Sequence, residues 1–280
     1  MRARSRHAHD DRPPTKGLSM PLALMRILAA LVTSLSLVAI ALANSTSISN
    51  MASTKAIFFS SGIQQRLEIA IRTNDAGTVA QLLADGAPVN ARGKHDVTPL
   101  MIAVDAQAPG AVAVLVRAGA DSRAKATDGA TAVHLAVENH AAQPNGHAIL
   151  EALMKGGADP NTLRPDRDPV IMRFIYDHDL DDLRWFKSLG ANIDIAARSG
   201  RPLIADAAFG QNWDSVWCLI ELGARYDYEH TLYPLSEALN SSYGSSPDSL
   251  LYPYKVKVWQ RLRDDGIAVA PLKTVNPRGG

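Results

Sequence analysis

The side chains best able to do chemistry in this 280-residue sequence are three histidines and one acidic run. His134, His140 and His147 lie close together, and clustered imidazoles invite a metal, which needs nitrogen, sulfur or carboxylate ligands at tetrahedral spacing. No cysteine or acid is spaced beside them to complete such a site, so no metal is expected. The run Asp177-His178-Asp179-Leu180-Asp181-Asp182 could supply paired carboxylates. It falls instead where a turn and the first turn of a second helix should lie, and the helix dipole favours acids there. Phosphate loops, His-Glu-x-x-His, Gly-x-Ser-x-Gly and clustered Cys/His are all absent. The single cysteine, Cys218, sits in the apolar run Val216-Trp217-Cys218-Leu219-Ile220. It cannot close an intrachain disulfide or build a cysteine zinc site, and reads as a small packing residue. The expectation is a protein that is not an enzyme and needs no cofactor.

The elements that position these residues repeat. A Gly-Ala pair follows a Leu-rich run at Gly86-Ala87, Gly119-Ala120, Gly157-Ala158, Gly190-Ala191 and Gly223-Ala224, at spacings of 33, 38, 33 and 33 residues. In phase with it come Thr98-Pro99-Leu100, Thr131-Ala132-Val133, Asp168-Pro169-Val170 and Arg201-Pro202-Leu203. With Thr131-Ala132-Val133-His134-Leu135-Ala136, these marks resemble the ankyrin repeat family, whose unit of 33 residues opens T-P-L-H-x-A. The resemblance covers roughly residues 60 to 270. It implies an all-α solenoid of about six helix-turn-helix units with projecting loops, and it implies that His134 bonds to backbone or a neighbouring loop at a helix start. The scaffold carries many different surfaces, so function rests on particular side chains.

One physical scheme recurs in each unit. Thr98 and Thr131 can cap a helix through the hydroxyl, and Pro99, Pro169 and Pro202 suit a first helical turn. Gly119, Gly157, Gly190 and Gly223 can close the second helix in the left-handed conformation. Asn90, Asp121, Asn161 and Asp194 supply turn chemistry in the loops. No unit can bury its Leu and Val face alone, so stacking stabilises the array. The stretch Ile63 to Leu83 reads as the capping unit, with Gln64, Gln65, Arg66 and Glu68 on its wet side. The third unit carries a longer link, Asn139 to Gly146. A sixth unit follows Tyr233-Pro234-Leu235, with a loop over Asn240 to Pro253, a helix over Tyr254 to Arg263 and a loose tail over 271–280.

Ahead of the repeats, Ile27 to Ala43 form an apolar run behind Arg26, shorter and more broken by Ser and Thr than the ~20 apolar residues of a spanning helix. Ala41-Leu42-Ala43 has the small-x-small form of a cleavage site. Residues 1–43 therefore read as a secretory signal peptide with a polar leader, cut after Ala43. Met20 or Met25 would give a more ordinary start than Met1. Residues 44–59 follow as a flexible linker. The chain is expected in the periplasm, with an uncleaved signal and an inner-membrane adaptor as the alternative. Net charge is +1; the first 43 residues hold six of the 29 basic and two of the 28 acidic residues, so the remaining 23 and 26 sit near −3. That is not the balance of a nucleic-acid binder.

Two surface patterns point to a protein partner. Arg92 and Lys94, Arg123 and Lys125, Arg164 and Arg167, Arg198 and Arg201 put a basic ladder on the projecting loops, interleaved with Asp96, Asp128, Asp166 and Asp168. Such an edge would steer an acidic protein surface. All four Trp and all seven Tyr lie after Arg173. Trp185 and Trp217 fall on apolar helix faces and read as core, whereas Tyr226, Tyr228, Tyr243 and Tyr252 fall in expected loops and are candidate contacts. The expected function is a non-catalytic, monomeric binding module with no nucleic-acid partner, reaching a membrane only if the signal is retained. The chain also resembles exported bacterial ankyrin proteins, some encoded beside secreted toxic effectors such as lipases. That resemblance implies an immunity protein; a scaffold or chaperone for a periplasmic enzyme is the alternative.

Overall fold

A computed structural model describes residues 58–60, 62–140, 143–226, 235–240 and 247–272. The chain divides into two units, residues 1–54 and 55–280. The expected signal peptide, nearly all of the linker, most of the tail, Tyr228 and Tyr243 lie outside the described residues.

Twelve α-helices and no strand occur among the described residues, and the helices fall into six antiparallel pairs. They are α1 (Gly62–Arg72) with α2 (Ala76–Ala84), α3 (Pro99–Asp105) with α4 (Pro109–Arg117), α5 (Ala132–Asn139) with α6 (Gly146–Lys155), α7 (Met172–Tyr176) with α8 (Leu180–Ser188), α9 (Leu203–Phe209) with α10 (Trp213–Glu221), and α11 (Leu235–Asn240) with α12 (Tyr252–Asp264). First helices stack on first helices and second on second, from α1 on α3 to α10 on α12. This is the all-α solenoid expected from the repeat. No described helix is long and apolar enough to cross a membrane.

Sequence sets the helix boundaries as physical chemistry requires. Thr98 Oγ1 accepts from Met101 N at 3.3 Å and Thr131 Oγ1 from His134 N at 3.2 Å, caps worth about 1 kcal/mol each. Gly119, Gly157, Gly190 and Gly223 have φ of +85°, +82°, +93° and +84° and end the second helices as expected. Pro169 departs from expectation because it precedes the helix. Asp168 stands where earlier units have Thr, but its carboxylate accepts from Arg198 N at 2.7 Å in the next loop. Without a cap, the chain makes a tight turn, Met172 N to Pro169 O at 3.1 Å, and α7 starts only at Met172. Pro202 likewise stands one position before α9.

The core runs through the stack as Leu67, Ile71, Leu82, Leu100, Leu115, Ile149, Leu150, Phe174, Phe186 and Trp213, all essentially without solvent exposure. The buried tryptophan is Trp213, beneath Lys255 Nζ at 5.2 Å from its ring. Trp185 and Trp217, expected in the core, are partly exposed. Each keeps an edge at a polar neighbour: Trp185 lies against His147, and Trp217 Nε1 donates to Glu221. Cys218 is buried and free, as expected, and burial pushes its thiol pKa up. Glu68, expected on the wet side of the capping unit, is instead buried. Its carboxylate accepts from Phe58 N at 2.9 Å and Phe59 N at 3.0 Å and pairs with Arg72 at 3.0 Å, docking two buried phenylalanines on the first unit.

The step from α7–α8 to α9–α10 is looser than those before α5–α6 and after α9–α10, and the loosest step is from α5–α6 to α7–α8. Rings fill this step: His140 on Phe174 at 4.8 Å, Phe174 on Phe186 at 4.7 Å, and His147 on Trp185 at 4.8 Å. It is also where the insertion lies. Gly146 opens α6 so close to His140 that a Cβ would come within 2.3 Å of the His140 carbonyl oxygen.

Candidate protein-binding surface

The loops between units are held by their own acids. Asp128 accepts from Ala130 N, Asp166 from Asp168 N, and Asp168 from Arg198 N. Asn90 donates to Gly119 O and accepts from Asp121 N in the next unit, and Asn161 does the same with Gly190 O and Asn192 N. The carboxylates that interleave with the basic ladder are thus largely occupied with backbone N–H groups.

Six of the eight ladder residues are exposed: Arg92, Lys94, Arg123, Lys125, Arg167 and Arg198. Arg92 also ties its loop to the next, donating to Lys125 O at 2.6 Å. The other two turn inward. Arg164 pairs with Glu138 at 3.3 Å and Asp166 at 3.6 Å, and Arg201 binds the buried Asp206. A carboxylate out of water needs a cation or hydrogen bonds, and these two arginines meet that need. They are structural members of the edge.

The aromatic candidates separate in the same way. Tyr226 is half-buried and its hydroxyl donates to Asp265, which also pairs with Arg261. Burial foremost raises the Tyr226 pKa. Tyr252 is not in a loop. With Pro253 beside it in the first turn, it opens α12 two residues earlier than expected, since proline gives up no hydrogen bond there.

A surface pair escaped the sequence reading. Tyr176 and Phe209 are the last residues of α7 and α9, 33 residues apart, and are 49% and 61% exposed. They occupy one register position on successive first helices, held in earlier units by Arg72, Asp105 and Glu138. Aligning the units would have found them. The Arg201 guanidinium stacks on Phe209 at 4.5 Å from the ring centroid. Arg173, four residues before Asp177, bonds it at 2.7 Å on the same helix as Tyr176. Aromatic rings bordered by guanidinium groups are the composition of interface hot spots.

His134 stands four residues before Glu138 on α5. Its side chain makes neither a backbone nor a loop bond: Nδ1 is buried without a hydrogen-bond partner, and Nε2 lies 3.8 Å from Glu138. Burial lowers its pKa, opposed by Glu138 and reinforced by Arg164. Arg164 takes the place the neighbouring loop would have offered, bridging Glu138 and Asp166.

The acidic run occupies the turn and helix start expected of it, since Asp179 caps α8 by accepting from Asp182 N at 3.1 Å. The expectation that no acid could complete a set with the histidines is corrected, because the acids come from the next unit. His140 Nε2 lies 3.2 Å from Asp179 Oδ2 and 3.3 Å from Asp182 Oδ2, while His147 Nδ1 lies 3.2 Å from Asp182 Oδ1. Burial, then the neighbouring Asp179 charge, raises the Asp182 pKa. The cause is register. Asn74, Gln107, His178 and Gln211 sit at the turn between helices with φ of +52°, +53°, +58° and +62°. His140 is their counterpart, but the insertion makes the reversal further along. His140 keeps a helical φ of −61° and its ring enters the junction.

No curated protein matches the chain. Residues 67–163 match the family model of ankyrin repeats, in three copies. The same helix pair, with the same glycine closure, continues beyond the match through α7–α8 and α9–α10. Ankyrin repeats serve as protein–protein interaction modules and are typically non-catalytic. Residues 67–163 are thus ankyrin repeats by sequence, and the helix pairs that continue past them repeat the same all-α architecture.

Proposed function

We propose that this protein is a non-catalytic binding module, exported to the periplasm, that neutralises a secreted toxic effector, such as a lipase, by holding it against the repeat stack. The observation that carries the binding part is the exposed Tyr176–Phe209 pair on consecutive first helices. The exposed loop cations Arg167 and Arg198 support an acidic partner surface. Export is supported by the apolar run Ile27 to Ala43 with its small-x-small end. The immunity role is supported by the resemblance to exported bacterial ankyrin proteins encoded beside effectors.

The test is co-expression with the toxic protein that the proposal requires to be encoded beside this chain. Survival of the host, with a stable complex recovered from the periplasm, is the expected result. A complex without protection would replace immunity with a scaffold or chaperone role, and absence of any complex would remove the proposal.

A further inference from the structure

We propose that His140, Asp179 and Asp182 bind a divalent transition cation of the zinc class, pinning the third unit to the fourth across the widest step of the stack. The inference is independent of the protein-binding reading, because it concerns the junction between helix pairs and not the exposed rings or loops.

Three features argue for a built site. The first is spacing. Four ligands about 2.0–2.1 Å from zinc lie about 3.3 Å from one another at the corners of a tetrahedron. His140 Nε2 stands 3.2 Å and 3.3 Å from the two carboxylate oxygens, and all three ligand atoms lie within 4.8 Å of each other. The second is support. A ligating histidine is normally fixed by a bond from its other nitrogen, and ligating carboxylates are likewise held. His140 Nδ1 lies 2.8 Å from Val137 O, Asp179 Oδ1 accepts from Asp182 N, and Asp182 Oδ1 faces His147 Nδ1. The bond to Val137 O uses the Nδ1 proton, so Nε2 is the nitrogen placed to ligate a cation held between it and the two carboxylates.

The third is charge and burial. A neutral imidazole with two carboxylates carries −2, which one divalent cation balances. His140 and Asp182 are buried, at 6% and 8% exposure. The Asp179 side chain is 33% exposed, leaving one side open for a fourth ligand, a water or His147. A proton on Nε2 is the competing occupant, and it would give an imidazolium between the two acids.

Cobalt(II) and zinc added separately to metal-stripped, full-length chain distinguish these. We expect cobalt to give the intense visible absorption of a four-coordinate centre, and zinc at a hundredfold excess over its Kd to raise the melting temperature by about 5–10 °C. Asp179→Asn keeps a capping side chain but removes the anionic ligand. It and His140→Gln should lose both responses, while His178→Gln, at the next junction, keeps them. If His140→Gln does not fold, Asp179→Asn decides alone. No cobalt band with no zinc-dependent rise in the wild-type chain overturns the proposal in favour of the proton. So does a rise that persists in Asp179→Asn.

Discussion

His178 Nδ1 lies 2.9 Å from both carboxylate oxygens of Asp214, which sits in the first turn of α10, the second helix of the following unit. It is one rung of a recurring tie. Asn74, at the equivalent turn two units before His140, makes its tie in the opposite direction, accepting from Ala111 N at 3.1 Å in the next unit's second helix. In a stack whose units touch only their neighbours, such ties decide how strongly one unit is coupled to the next.

Asp214 is buried, so removing its partner leaves a carboxylate with less compensation. His178→Ala should cost about 1–3 kcal/mol. The loss should be localised: hydrogen exchange measured by mass spectrometry should quicken in α7–α8 and α9–α10 before it changes in α1–α2. Uniform acceleration throughout the stack would contradict nearest-neighbour coupling.

Trp213 fills the space between α9, α10 and Lys255 with no solvent exposure. Trp213→Ala should cost about 3–5 kcal/mol in denaturant titration. Trp217→Ala, at a partly exposed site, should cost markedly less. Equal losses would mean that the core tryptophan has been wrongly assigned.

Acid sensitivity should follow from His134. Burial lowers its folded pKa below the ordinary value of 6.5, so the unfolded chain takes up its proton first. The stability this group contributes is therefore full above about pH 6.5 and declines as the pH falls below it toward the folded pKa. His134→Gln should flatten the fall in melting temperature across this window, as seen by calorimetry. An unchanged slope would show that another group carries the dependence.

The loop cations and the exposed rings Tyr176 and Phe209 should act on different rate constants. Arg167→Glu with Arg198→Glu should slow association with the proposed effector, most at low salt. Tyr176→Ala should mainly speed dissociation. Surface plasmon resonance separates the two, and identical effects on both rates would argue against the division.

Much of the fold was legible because it is local. Thr98 and Thr131 cap by their own hydroxyls, and the left-handed glycines terminate helices wherever they stand, so pattern and geometry agree. What escaped depends on which unit meets which. Arg164 and Arg201 read as surface cations until Glu138 and Asp206 are seen beside them. Glu68 reads as a solvated acid until Phe58 and Phe59 bring it unpaired N–H groups. His140 and Asp179 are separated by slightly more than one lengthened repeat, and only the stacking register makes them neighbours. The Tyr176–Phe209 pair was hidden differently: each ring ends an apolar helix, where sequence alone suggests burial.

Under the proposed function, the stack holds its toxic partner through the exposed rings Tyr176 and Phe209. Isothermal titration of the purified effector with wild-type chain and with Tyr176→Ala/Phe209→Ala tests it most directly. The prediction is saturable binding to the wild type, weakened at least a hundredfold in the double variant, about 2.7 kcal/mol, with the melting temperature nearly unchanged. Equal affinity for both chains would contradict it.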